Sequence, residues 1–133
     1  MTQAKDFGAF CEGLLLGRSD ADKIRSLFDD CLRKSLGRLD ERDIIECFND
    51  KEPFYEEAAS ADSLAQKVAA RLKESSRKEF SSMLFCVSAD TQKEAFSLAQ
   101  KTGNALIPFF SQNARILFGA LPLGPSLYRA FFC

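Results

Sequence analysis

Five cysteines are the side chains of this chain with the widest scope for chemistry. They stand at Cys11, Cys31, Cys47, Cys86 and Cys133. No two of them have the CxxC spacing of zinc sites and redox dithiols. Four occupy apolar positions of expected helices or strands, where a free thiol packs as a small hydrophobe. We therefore expect reduced, structural thiols in an intracellular, cytoplasmic protein.

The other residue types argue against catalysis. The sequence has no histidine, which removes Ser-His-Asp and Cys-His catalysis and the usual zinc chemistry together. The adjacent carboxylates of Asp29-Asp30 and Glu56-Glu57 point in different directions on a helix, so neither pair makes an acid–base couple. The motifs GxGxxG, GxxxxGK[ST], HExxH and GxSxG do not occur. A net charge of −1 gives no electrostatic basis for binding nucleic acid. We expect a protein that is not an enzyme and needs no cofactor.

Helices are the elements that the apolar spacing predicts first. A stripe of apolar residues predicts a helix over 3–16, which Gly17 ends by supplying a left-handed conformation. Ser19 or Asp20 is expected to cap a second helix. Its buried face is formed by Ile24, Leu27, Phe28 and Cys31.

A third helix is predicted to begin after Asp40, a good N-cap residue. Leu39 and Ile44 have the spacing of a hydrophobic staple around that cap. Gly37 precedes Leu39 by two residues. Together the glycine, the cap and the staple favour a break between two helices over one continuous helix across 21–48.

The segment around this break resembles an EF-hand. Apolar residues at 24, 27, 28 and 31 are followed by Gly37, Leu39 and the acidic Asp43, and then by Ile44, Cys47 and Phe48. The pattern is similar to that of calmodulin and myosin light chains along the whole helix–loop–helix. In that family oxygen ligands stand at positions 1, 3, 5, 7, 9 and 12 of the loop, and glycine stands at position 6.

The calcium ligands of the family do not carry over to this loop. Its first, third and fifth positions hold Leu32, Lys34 and Leu36. Only Asp40 and Asp43, at the ninth and twelfth positions, offer carboxylates, and calcium takes six to eight oxygens. The resemblance therefore implies an EF-hand without a metal, held together by packing and by the glycine turn.

A second hand is expected downstream, because EF-hands occur in pairs. Glu79 follows Asp43 by 36 residues (79 − 43), close to the interval between hands in calmodulin-like proteins. Pro53 marks an expected helix start, and Ser60 or Asp62 caps a helix through 61–72. Two alternatives to a second hand remain open: one continuous helix over 62–85, or a buried strand at 83–87.

The C-terminal part, from 86 onward, has a different composition. We expect a helix over 90–102, capped by Ser88 or Asp90, and a short helix over 112–121. This spacing allows a degraded third hand across 90–120, and a βαβ unit with strands at 83–87 and 105–110 is the competing interpretation. The apolar tail either folds into the protein's own core or docks on a partner.

These observations predict an all-α protein of two parts: an N-terminal helix with a paired EF-hand-like lobe over 1–85, and an apolar helical segment over 86–133. The resemblance to light chains implies a non-catalytic, calcium-independent module that binds an amphipathic helix of a larger protein. The alternatives are a structural subunit of a large assembly, including a membrane-associated one, and a helical adaptor or chaperone. The residues expected to line the groove for the partner helix are Leu32, Leu36, Phe48, Met83 and Leu84.

Overall fold

The computed structural model describes residues 3–35, 39–49 and 52–133. Three helices come first, and strands and helices then alternate before a final pair of strands. The elements are α1 (Gln3–Leu15), α2 (Ala21–Asp29), a π-helical turn (Asp30–Lys34), α3 (Glu41–Phe48), β1 (Phe54–Ala58), α4 (Ala61–Glu74), β2 (Phe80–Ser88), α5 (Gln92–Leu106), a 3-10 turn (Ile107–Phe109), β3 (Phe110–Leu121) and β4 (Leu127–Phe132).

The expected all-α class is wrong, because four strands form one mixed sheet in the order β1-β4-β2-β3. Strands β2 and β3 are parallel and are joined by α5, which makes them a βαβ unit. Strand β4 lies between β1 and β2 and is antiparallel to both. The competing βαβ interpretation of the C-terminal part was therefore correct in type. Its second strand was misplaced, because residues 105–109 form the end of α5 and the 3-10 turn, and β3 begins at Phe110 and ends at Leu121.

Helices cover both faces of the sheet. The helices α1 to α3 and the π-helical turn pack on one face, which we call the α1–α3 side, and α4 and α5 pack on the other, the α4–α5 side. Neighbouring residues of β4 serve both sides. Phe131 packs edge-on against Phe28, with ring centroids 5.4 Å apart, and Phe132 packs against Phe80 at 5.0 Å. A strand buried on both faces is a nearly continuous apolar run, which explains why the tail of the sequence is apolar.

Two of the local signals at the N-terminal helices are confirmed, whereas Asp20 holds the N-cap position of α2 without a capping hydrogen bond from its side chain. Gly17 has φ of +75°, the left-handed conformation expected where α1 ends. Asp40 caps α3: its side chain accepts a hydrogen bond from the Asp43 amide, and the Asp43 carboxylate accepts one from the Asp40 amide. Ser35, Leu39 and Asp40 are not helical, so the helical residues through Lys34 are separate from α3. Gly37, the expected centre of the turn, lies outside the described residues.

The prediction of a second helix–loop–helix unit is wrong. Ser60 does cap α4, but α4 ends at Glu74 and the residues after Glu79 form β2 instead of an exit helix. The helix expected after Pro53 is strand β1, and the one expected over 112–121 is strand β3. The division expected between 85 and 86 falls inside β2. In the described part of the chain, no helix is long and apolar enough to cross a membrane.

Candidate functional site

The residues expected to line a groove do not share one surface. Phe48, Met83 and Leu84 have no exposed area, and Leu32 is half-buried. Met83 packs on the α4–α5 side of the sheet, whereas the other three described residues pack on the α1–α3 side. Leu36 lies outside the described residues. The four described residues pack in or against the two hydrophobic cores.

A different surface carries exposed apolar side chains. Within the described residues, Phe96, Ile107, Ile116 and Phe118 are all more than a third exposed, with Ile107 the most open of the four at 53%. All four line one groove of about 460 Å³ on the α4–α5 side. Contiguous exposed apolar surface of this kind marks contact sites in soluble proteins.

Small residues of α5 create the groove. Helix α5 presents Ala99 and Gly103 toward the sheet, one turn apart, and both line the groove. The ring of Phe85 lies against Gly103 and forms the floor, because a Cβ at Gly103 would stand only 3.4 Å from its Cζ atom. Phe118 stacks on Phe85 with ring centroids 6.0 Å apart. The polar lining residues are uncharged: Ser97, Gln100 and Asn104.

Strand β3 forms the other wall and is the edge of the sheet. Of the strands in the described ranges, β3 pairs with β2 alone. The Ala120 amide points away from β2, since it donates a hydrogen bond to Ser35 Oγ at 3.0 Å. Successive main-chain groups of a strand alternate in direction, so those of Ile116 and Phe118 also point outward. Among the described residues, none bonds these outward groups. A stretch of strand edge that no described residue pairs with therefore runs beside the apolar groove.

Arg115 does not bring a free charge to this edge. It forms an ion pair with Glu46 of α3, with Nη1 2.7 Å from Oε2, on the α1–α3 side of the sheet. The open stretch of β3 is consequently apolar on its α5-facing side. Edge strands are commonly protected by charges, prolines or bulges that prevent pairing with other chains; Ser35 caps one end of this edge, and Ile116 and Phe118 carry no such protection.

A second constellation lies buried on the α1–α3 side. Gly119, Cys86 and Arg129 are neighbours across β3, β2 and β4, so they share one face of the sheet. The Arg129 side chain is nearly enclosed, and its Nη2 contacts Asp30 Oδ2 at 2.8 Å and Cys86 Sγ at 3.7 Å. Within the described residues its Nε has no hydrogen-bond partner. Cys31, in the π-helical turn, completes the group. Such turns are frequent at functional sites.

The charges in this constellation act on its thiols. A hydrogen bond from the Cys31 thiol and the positive charge of Arg129 hold the pKa of Cys86 below its usual value, although burial opposes them. The same hydrogen bond and burial raise the pKa of Cys31. Cys86 is thus the thiol of the pair with the greater thiolate character.

Sequence reasoning missed both constellations. Arg129 is one of two charged residues after Asn104, and an arginine in an apolar run was a signal of a buried ion pair. The groove gave a weaker signal, since Phe96, Ile107, Ile116 and Phe118 are distant in sequence and meet only because β3 lies at the sheet edge. No family model matches the chain, and no curated protein shows significant similarity to it.

Proposed function

We propose that this protein is a non-catalytic binding module whose groove between α5 and β3 holds an extended apolar segment of another protein. The segment adds a strand to the sheet at β3. One observation carries this proposal: the outward main-chain groups of Ile116 and Phe118 lie directly beside the groove that holds the exposed side chains. In this mode of recognition, main-chain hydrogen bonds supply affinity and pockets for alternate side chains supply specificity.

The chemistry of the groove defines the partner segment. Every second side chain of an added strand points to the same face, so alternate residues of the partner enter the groove beside Phe96 and Phe118. Its lining is apolar apart from uncharged Ser97, Gln100 and Asn104. The partner segment therefore carries large apolar residues at alternate positions and no charge on that face.

The partner expected from the sequence was an amphipathic helix, and such a helix would use the same groove differently. It would bury apolar residues spaced three and four apart and would form no main-chain hydrogen bonds with β3. The unpaired edge favours a strand. Cys11, Cys31 and Cys86 are buried thiols outside any disulfide, which supports the accompanying proposal of a reducing, intracellular compartment.

Selection from a displayed library of random peptides, each about ten residues long, tests the proposal. Purified protein serves as the bait, and the selected peptides are then titrated against variants. We expect selected sequences to have apolar residues at alternate positions. Phe118→Ser should weaken binding about thirtyfold, equivalent to about 2 kcal/mol at a central apolar contact.

Ile116→Pro separates a strand from a helix as the bound form. Proline removes an N–H that points outward, and an edge strand tolerates it there. The variant should fold and lose binding of an added strand, whereas a helix in the groove would be little affected. Leu123→Ser is the matched control, since Leu123 is 54% exposed and lies outside the groove. Selected peptides that bind Phe118→Ser as well as the unaltered protein would overturn the proposal.

A further inference from the structure

Gly119 gives two cysteine side chains room to meet inside the protein. It stands beside Cys86 in the parallel pair of β3 and β2, and adjacent strands are about 4.8 Å apart. A Cβ at position 119 would lie 3.1 Å from Cys31 Sγ and 2.9 Å from Ser35 Oγ. The Cys31 sulfur therefore occupies the space that a side chain at 119 would fill, next to Cys86. Both thiols are buried.

Arg129 makes the two thiols of this pair unequal. Arg129 is the neighbour of Cys86 on β4, and its Nη2 lies 3.7 Å from Cys86 Sγ. The guanidinium stabilises negative charge on that sulfur, and the thiolate is the nucleophilic form of cysteine. Asp30 holds the guanidinium in place at 2.8 Å. Cys86 is thus set up as the attacking sulfur, and Cys31 as the thiol that resolves it.

We propose that Cys31 and Cys86 are an oxidation site, at which a hydroperoxide converts the two thiols into an intramolecular disulfide. The Cys86 thiolate attacks the terminal oxygen of the hydroperoxide, the O–O bond breaks, and the alkoxide or hydroxide that leaves takes up a proton. The Cys31 sulfur then attacks the sulfenic sulfur of Cys86, the S–S bond forms, and the S–O bond breaks with release of water. Two thiols lose two electrons, and the hydroperoxide gains them.

The bond has a structural consequence independent of the binding proposal. It joins the π-helical turn Asp30–Lys34 to the centre of β2. The loop that it closes runs from 31 to 86, longer than those closed by pairing Cys31 with Cys11 or Cys47. In an unfolded chain shorter loops close more readily. Formation of the 31–86 bond is therefore a signature of the folded structure and not of chance collision.

The test is to treat the folded protein with hydrogen peroxide, alkylate the remaining thiols under denaturing conditions, and map the disulfides by mass spectrometry. Before alkylation, the mass of the protein should fall by two hydrogens. The disulfide map should show a single bond, which links Cys31 with Cys86. The same treatment in urea should instead give mixed pairs with shorter loops. If the folded protein keeps five alkylatable thiols, or pairs other cysteines first, the inference is overturned.

Two variants assign the roles of the two sulfurs. Cys31→Ser removes the resolving thiol, so peroxide should leave Cys86 as a sulfenic acid, a gain of about 16 Da that a sulfenic-acid trapping reagent captures. Cys11→Ser is the matched control and should still form the 31–86 bond. Sulfenic acid found on another cysteine of Cys31→Ser, with Cys86 unmodified, contradicts the assignment, and the mapping in the unaltered protein stands even if a variant fails to fold.

Discussion

Arg129 and Asp30 form an ion pair at the centre of the α1–α3 side, with Nη2 and Oδ2 2.8 Å apart. The arginine comes from β4, near the end of the chain, and the aspartate begins the π-helical turn, 99 residues earlier. The side chains are 6% and 15% exposed. An ion pair shielded to this extent ties the helical layer to the sheet through one strong, charge-assisted contact.

Removing one member of this pair should destabilise the fold strongly. Arg129→Met removes the closer cation from the buried Asp30 carboxylate and leaves it only the half-exposed Lys34, whose Nζ lies 3.7 Å from Oδ1. Breaking a buried pair in this way costs about 3–5 kcal/mol. Urea denaturation measures the loss in free energy of unfolding. The matched control is Arg115→Met, because the Arg115–Glu46 pair is about half exposed on both members and such pairs contribute about 0–1 kcal/mol. Equal losses in the two variants would contradict the role assigned to Arg129.

Gly119 should accept a side chain poorly, because it is closely packed on the α1–α3 side. In Gly119→Ala the new methyl group would meet Ser35 Oγ at 2.9 Å and Cys31 Sγ at 3.1 Å. Relieving that contact moves the π-helical turn, and overpacking of this kind costs about 1–3 kcal/mol.

The control for Gly119 is Gly13→Ala. Gly13 lies in α1, where a Cβ would have no described atom of another element within 4 Å. Alanine there should stabilise the protein by up to about 1 kcal/mol, since glycine is the poorer helix former. The free energy of unfolding, measured with heat or urea, should therefore fall in Gly119→Ala and rise in Gly13→Ala. A rise in Gly119→Ala would contradict the close packing around position 119.

Cys11 predicts a loss of stability at alkaline pH. Burial raises the pKa of the Cys11 thiol from 9.0 to about 11. The folded state then holds the thiol proton more tightly than the unfolded state, so the stabilising effect is complete below pH 9 and is lost as pH rises from 9 to about 11. Measured across this window, the unfolding free energy of the unaltered protein should fall more steeply than that of Cys11→Ala. Parallel curves would contradict the assignment, because other buried thiols and tyrosines contribute equally to both proteins.

Local signals in the sequence predicted the helices, and non-local pairing explains what was missed. Gly17 and the caps at Asp40 and Ser60 act within a few residues, so their positions could be predicted without knowledge of the fold. Strand β1 has only five residues, Phe54–Ala58, and follows a proline that equally marks a helix start.

The sheet itself depends on contacts between distant parts of the chain. Strand β4 lies between β1 and β2 in the sheet, and no short-range pattern in the sequence predicts that position. The interval of 36 residues that suggested a second hand ends at Glu79, immediately before β2. An interval in sequence could not distinguish an exit helix from a strand.

The candidate groove was predictable only in part. A contact surface was one of the two alternatives left open for the apolar tail, where the exposed Ile116 and Phe118 lie. Its location was not, because the wall formed by α5 and the free edge of β3 exist only after the parallel pair has formed. Of the residues expected to line the groove, Phe48, Met83 and Leu84 are fully buried in the two cores, because an apolar pattern in sequence marks buried positions more often than contact surfaces.

Amide hydrogen exchange at Ile116 and Phe118 tests the binding proposal most directly. NMR or mass spectrometry would compare these two amides in the free protein and in the presence of a saturating selected peptide. Strand addition predicts fast exchange in the free protein and strong protection of both amides in the complex, while the Ala120 amide, already bonded to Ser35, changes little. Unchanged exchange at Ile116 and Phe118 in a complex that still requires the Phe118 side chain would contradict strand addition.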